Sequence, residues 1–339
     1  MQDRNPKSLF GADINEFSQG VDFRTLATKL DFLYLRSSGS GSGAFRVDKK
    51  FLEFASGARG FGIPVGAYHY AFPYSDLTTA DSQCDDFIDI LQQGFGTENF
   101  GDLFPVLDVE APVEKTISTK TLLSWVERFK KRFEKRTRRR LMIYTGIFFI
   151  QLYDDFLYPG RGHILSNMPL WIALYPEIKG NPPYPPNAGG WTRWTIWQYT
   201  EKGKVDGIES LTDLNWGPNS IDYLVQPRNV LGLKAYRVKN KIYVSWTPNK
   251  DVDLSGYNLY LNGLYAGTVG KKVSNFVIDV NKFTIPKDLD YEVQIEAFDA
   301  VGEFSPSRSI VTLPRNDKVR SSDESGIYYA YPDIIMNAK

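Results

Sequence analysis

An α/β barrel followed by an all-β sandwich is the architecture this sequence predicts. Three observations carry it. Through the first two thirds of the chain, apolar strand-like runs alternate with stretches of helical periodicity. Toward the end of that region strand candidates continue while the helices stop, and after Pro218 only short alternating strands remain. The length of 339 residues exceeds one ordinary hydrophobic core, which agrees with two domains.

Strand candidates lie at 9–12, 32–35, 63–70, 104–109 and 141–144, with helical patterns near 22–30, 48–60, 76–92, 118–136 and 146–156. Such alternation predicts parallel strands joined by helical crossovers. Three further strands are read at 170–175, 195–199 and 211–214, now linked by Pro- and Gly-rich connectors such as 181–190. Eight strands in this rhythm predict a closed or nearly closed barrel whose last third has lost its helices.

The fourth strand ends in Asp108-Val109-Glu110. Strand side chains alternate faces, so the two carboxylates point the same way, their Cα atoms about 6.6 Å apart at roughly 3.3 Å rise per residue. Each charge raises the cost of ionising the other, and one of the pair is expected to hold a proton near neutral pH. A protonated carboxyl beside a carboxylate is what glycosidic cleavage uses: one donates to the leaving oxygen while the other meets the positive charge developing on the sugar. The plain alternative is an acidic strand end facing water.

In barrels of this kind chemistry gathers at the C-terminal ends of the strands, and other strand ends here are polar as well. Asp13, Arg36, His69, Tyr144, Gln198 and Asp213 all sit at or near such positions. Singly, each has an ordinary reading: Asp13 as a helix cap, His69 as a satisfied core histidine, Tyr144 and Gln198 as barrel rim, Asp213 as a turn residue. Together, four carboxylates at one mouth would cost several kcal/mol in desolvation and repulsion if they had no task.

Composition narrows the partners. With 40 basic and 40 acidic residues the net charge is zero, so no global field favours nucleic acid or an anionic membrane. Cys84 is the single cysteine, which excludes an intrachain disulfide. The most apolar window, 141–153, is too short to span a bilayer. His69 and His163 are the only histidines and lack ligand spacing, so neither a metal nor another cofactor is expected.

The ordered motifs carry a resemblance. Gly11-Ala12-Asp13 with Gln19-Gly20, Gly66-Ala67-Tyr68-His69-Tyr70, Pro105 to Glu110, Ile143-Tyr144-Thr145, Leu170 to Tyr175, Ile196-Trp197-Gln198-Tyr199, and Asp206-Gly207-Ile208 leading to Asp213-Leu214-Asn215 together resemble glycoside hydrolase family 25, the phage and bacterial muramidases. The resemblance covers roughly 9–217. It implies a TIM-like (β/α)5(β)3 barrel and cleavage of the β-1,4 bond between N-acetylmuramic acid and N-acetylglucosamine in bacterial peptidoglycan. It also implies Glu110 as general acid, Asp108 as the partner of the substrate's 2-acetamido group, and Asp13 and Asp213 as the outer acids, with Asp206 a weaker rival to Asp213. Tyr68, His69, Tyr144, Trp171, Tyr175, Gln198 and Arg36 are the expected sugar-binding residues. One departure is that the spacing from Asp13 to Gln19 is a residue longer than the family's, which weakens any role for Asn15 or Gln19.

Residues 1–9 are polar and show no signal-peptide core, so the expected setting is a phage endolysin released through a holin, or a lysin carried on a virion. The competing class is a non-hydrolytic wall-binding or structural virion protein that kept the barrel. A lost acid would mark it, and none of the four is lost.

The expected domain limits are 1–220 for the barrel, 221–230 for a linker, 231–315 for the sandwich and 316–339 for a polar tail. Trp246, Tyr291 and the run from Ala297 to Ser307 make the second domain resemble a fibronectin type III module, expected to act as a spacer ahead of binding wall polymers or virion components. The run Lys130 to Arg140 holds eight basic residues and is read as the solvated end of a helix, where cations also suit the dipole.

Overall fold

The computed structural model describes residues 1–41, 44–315 and the backbone of 328–330. The chain forms two compact units, Met1–Val225 and Gln226–Lys339.

In the first unit the elements run β1 (Phe10–Ile14), α1 (Phe23–Leu26), β2 (Phe32–Gly39), β3 (Arg46–Val47), α2 (Phe51–Gly60), β4 (Val65–Tyr70), α3 (Thr79–Phe95) and β5 (Val106–Asp108). They continue with α4 (Thr119–Thr137), β6 (Met142–Gly146), α5 (Ile147–Leu152), β7 (Leu170–Ala173), β8 (Ile196–Gly203) and β9 (Thr212–Trp216). The sheet order is β1-β9-β8-β7-β6-β5-β4-β2, and β1 also pairs with β2, which closes an eight-stranded mixed α/β barrel. The short β3, absent from the sequence reading, forms an antiparallel arm on β2.

The parallel pairing expected for the helix-linked strands does not extend to the last strand: β9 runs antiparallel to both β8 and β1. Only residues 204–211 separate β8 from β9, and a parallel crossover needs a dozen or more. The reversal brings the N-terminal end of β9 to the mouth where the parallel strands have their C-terminal ends.

Alternation along each strand sorts the core into two layers. Inside the barrel lie Phe32, Tyr34, Val106, Met142, Trp171 and Ile196. Outside it, Leu33, Leu35, Ala67, Leu107, Ile143 and Ile172 pack against the helices. The lumen is filled by rings, and this sets a steric demand at β4. A Cβ on Gly66 would lie 2.6 Å from the Tyr34 ring, so a larger residue there would displace it.

Helix α4 shows why the basic run is structural. Its N-cap Ser118 accepts from the backbone N–H of Thr121, and Leu122, Trp125, Val126, Phe129 and Phe133 form its buried stripe. Cations beside the stripe meet α3: the Arg132 guanidinium grips both oxygens of Asp85 at 2.6 Å, and Arg136 joins the same carboxylate. Arg139 is buried and donates to the carbonyls of Gly101 and Leu103, each at 2.9 Å. Cys84 is buried on α3, as an apolar filler.

The second unit holds β10 (Leu231–Val238), β11 (Lys241–Thr247), β12 (Leu254–Leu261), β13 (Leu264–Gly270), β14 (Asn275–Asp279), β15 (Tyr291–Asp299), β16 (Ser309–Leu313) and β17 (Tyr328–Ala330). Two four-stranded antiparallel sheets, β14-β11-β10-β17 and β13-β12-β15-β16, share one apolar core that includes Trp246 and Tyr257. Asn262 and Gly263 both have positive φ, 49° and 78°, the two-residue hairpin turn that Asn-Gly favours. The polar tail read at 316–339 lies outside the described residues apart from the backbone of 328–330.

Candidate active site

Strand register explains how distant acids meet. Asp13 on β1 stands directly opposite Asp213 on β9, and Gln198 on β8 opposite Asn215 on β9. On the other side of the mouth, Tyr70, Asp108, Tyr144 and Trp171 are successive neighbours across β4, β5, β6 and β7. Glu110 lies two residues beyond Asp108, past the end of β5, and the alternation persists, because Val109 is buried among the outer-layer residues. Asp13, Asp108, Glu110 and Asp213 therefore line one cavity of about 180 Å³, together with Arg36, Tyr68, Tyr144, Trp171 and Gln198.

Hydrogen bonds fix the far wall. Oδ2 of Asp13 accepts from Nδ2 of Asn215 at 2.8 Å and from Nε2 of Gln198 at 3.0 Å. The Trp171 indole N–H donates to Oδ1 of Asn215 at 2.9 Å, and the hydroxyls of Tyr144 and Tyr175 donate to Oε1 of Gln198 at 2.9 and 2.7 Å. Burial pushes the Asp13 carboxyl up from its ordinary range, while donation by Asn215, Gln198 and Asp213 pulls it back. Asp213 is pushed up to about 9, by burial first and then by the charge of Asp13 beside it.

The near wall holds the expected pair. Asp108 is pushed well above the usual carboxylate range by burial, then by Glu110 and Asp13. Its Oδ1 is buried and has no hydrogen-bond partner among the described residues. Glu110 is partly buried and pushed up to about 7, by burial and by the charges of Asp13 and Glu201. Carboxyls of one sign gathered at one buried mouth raise the cost of ionising one another, over and above the cost of burial.

The remaining sequence-derived residues divide. Arg36 lines the cavity with its guanidinium paired to Asp48 through Nε at 3.0 Å and to Glu16 through Nη2 at 3.5 Å, and its charge also pulls the Asp108 carboxyl down. Tyr175 belongs to a neighbouring groove of about 480 Å³ that shares Glu110 and Tyr144 with the cavity and is otherwise largely apolar, with Phe148, Leu174 and Ile178. His69 is a correction. It is fully buried on the outer side of β4, bonded to Ser38 and Gln83 and packed on the Phe129 ring, and it does not line the cavity. Burial pushes its imidazole down to about 4, so it is neutral at pH 7. Asp206 lies on the surface paired to Lys29, which leaves the last acid to Asp213.

Two contributors escaped the sequence reading, Tyr70, which lines the cavity, and Asn215, which orients Asp13; Asn15, discounted from its spacing, lines the cavity as well. The period-two rule could have found Tyr70 and Asn215, since each lies two residues from a residue already chosen.

The barrel has known relatives in sequence and in fold. The sequence model of glycosyl hydrolases family 25 matches residues 12–208. The crystal structure of the spore cortex lytic enzyme SleM of Clostridium perfringens is 57% identical, covers 92% of this chain and 100% of its own, and superposes with a TM-score of 0.89. An N,O-diacetylmuramidase of Arthroderma benhamiae is 28% identical, the match covering 60% of this chain and 82% of that protein. The bacterial lysozyme of Streptomyces coelicolor, 23% identical over 65% of this chain and 96% of its own with a TM-score of 0.51, shares the fold. The matched family segment spans more than half of the sequence, and the chain belongs to glycosyl hydrolases family 25.

Proposed function

We propose that the chain is a peptidoglycan muramidase that cleaves the β-1,4 bond between N-acetylmuramic acid and N-acetylglucosamine at the bacterial wall. The observation that carries this reading is the convergence of Asp13, Asp108, Glu110 and Asp213 in one cavity opening to a sugar-sized groove. The N,O-diacetylmuramidase and spore cortex lytic enzyme among the relatives support it. The second of these is bacterial and matches at 57% identity, so we place the activity in a bacterial wall or spore cortex. A likeness to the Listeria phage endolysin ply40, at 21% identity, bears on fold alone and lends the phage setting no weight. A non-hydrolytic role is disfavoured because all four acids are kept. We read the second unit as a fibronectin type III-like spacer, on the strength of its two antiparallel sheets around Trp246 and Tyr291.

In the mechanism, Glu110 donates its proton to the glycosidic oxygen as the bond from that oxygen to the anomeric carbon breaks. The substrate's acetamido oxygen closes on the anomeric carbon, and Asp108 accepts the hydrogen bond of the acetamido N–H at its Oδ1. Water then opens the cyclic intermediate, giving its proton back to Glu110. Asp13, held ionised, faces the positive charge that develops on the sugar ring.

Glu110 acts only while protonated. At an ordinary Glu pKa, under about 1% would carry a proton at pH 7. Raised to about 7, roughly half does. Release of reducing ends from purified peptidoglycan is therefore expected to fall above about pH 7, tenfold per unit. A rate that climbs steadily through pH 8 would remove Glu110 as the proton donor.

A further inference from the structure

We infer that Gln198 and Asn215 are positioning residues that make Asp13 the ionised member of the Asp13/Asp213 pair and Asp213 the member that keeps the proton. This rests on the reading of the cavity as the reacting centre. Two carboxyls directly opposite each other across β1 and β9 have no intrinsic reason to divide their charge unequally, since both are the same residue type at the same mouth. The asymmetry comes from what surrounds them.

Both amides aim an N–H at the same oxygen, Oδ2 of Asp13, at 2.8 and 3.0 Å. Neither amide can turn over. Gln198 receives two phenol hydroxyls at Oε1, from Tyr144 and Tyr175, and reversing it would set its carbonyl against a carboxylate. Asn215 receives the Trp171 indole N–H, a donor without acceptor capacity, so its Oδ1 must face Trp171 and its NH2 must face Asp13. Trp171, Gln198 and Asn215 are nearly fully buried, so water does not compete for these bonds. Two fixed donors favour the charged form of Asp13, and Asp213 supplies the proton shared between the two.

The other ionisable groups around the pair are Asp108 and Glu110 at β5, Tyr68 on β4, Tyr144 on β6, Tyr175 after β7, Arg36 on β2 and Glu201 on β8. Arg36 is the one cation lining the cavity among the described residues, and it is tied to Asp48 and Glu16. Proximity to a cation therefore does not account for ionisation at Asp13. The outcome is a charge placed on one wall of the cavity by two neutral amides and the proton of Asp213, without a cation.

The test is a carbon-13 titration of the full chain labelled at the aspartate γ-carboxyl, with Asp13 and Asp213 assigned from Asp13→Asn and Asp213→Asn. In the unaltered protein at pH 7, Asp13 is expected to resonate as a carboxylate and Asp213 as an acid. Gln198→Met and Asn215→Leu should each raise the lower midpoint of the coupled pair by about one pH unit, a tenfold change in proton affinity, and move charge toward Asp213. Tyr175→Phe is a gentler variant that keeps both amides and loosens Gln198; it should move the midpoint the same way by less, and it keeps the inference testable if a core variant fails to fold. Midpoints unchanged in all three, or a carboxylate signal from Asp213 in the unaltered protein, would overturn the inference. This readout needs no turnover. A protein that titrates as expected and releases no reducing ends from peptidoglycan would refute the muramidase reading alone.

Discussion

Glu110→Gln is expected to lower kcat by about 100- to 10,000-fold with KM little changed, the usual worth of general acid help. Glutamine matches the shape of the acid and can accept or donate a hydrogen bond, so the substrate still binds, but the leaving oxygen departs without a proton. Stability should not suffer. Glu110 is partly buried beside other acids, and its charge raises the cost of ionising Asp108 and Asp213, so the neutral amide relieves repulsion. The variant is thus predicted to melt at or above the temperature of the unaltered protein while releasing reducing ends at a small fraction of its rate. Turnover within threefold of the original would discard the assignment of the acid.

Asp108→Asn is expected to cost on the order of 100- to 1,000-fold in kcat, as removal of one preorganised electrostatic partner typically does. In the proposed route Asp108, which lines the cavity and has an unpartnered Oδ1, accepts from the acetamido N–H as positive charge builds on that group. An asparagine keeps the volume and replaces the carboxyl with an amide that cannot take up negative charge as the acetamido group becomes positive. The same route makes a stereochemical prediction: proton NMR of the first-formed product should show the β-anomer retained, because the acetamido oxygen and then water each invert the anomeric carbon once. A purely inverted product, or an Asp108→Asn enzyme of nearly full rate, would replace this route with direct attack by water.

Much of the barrel was legible in the sequence because its signals are local. The strand-helix rhythm, the capping Ser118 and the apolar stripe of α4 are each written within one element. The direction of β9 was also available, in a connection too short for a crossover. His69 was misplaced because it was assigned to the mouth together with its neighbour Tyr68, whereas alternation sends Tyr68 and Tyr70 inward and His69 outward. Other features were out of reach. The opposition of Asp13 and Asp213 depends on register between strands at the two ends of the barrel, and the cations of α4 find acids on α3 some 47 residues away. Such pairings depend on the fold as a whole and leave no mark in a short window of sequence.

Four acids in one cavity matter only if they cut the glycan at a defined bond. Mass spectrometry of fragments released from purified peptidoglycan, after borohydride reduction of the new ends, reads that bond directly. Muramitol at the reduced ends, with the released fragments disappearing in Glu110→Gln, is the predicted result. Glucosaminitol ends, or fragments freed only by peptide or amide cleavage, would contradict it.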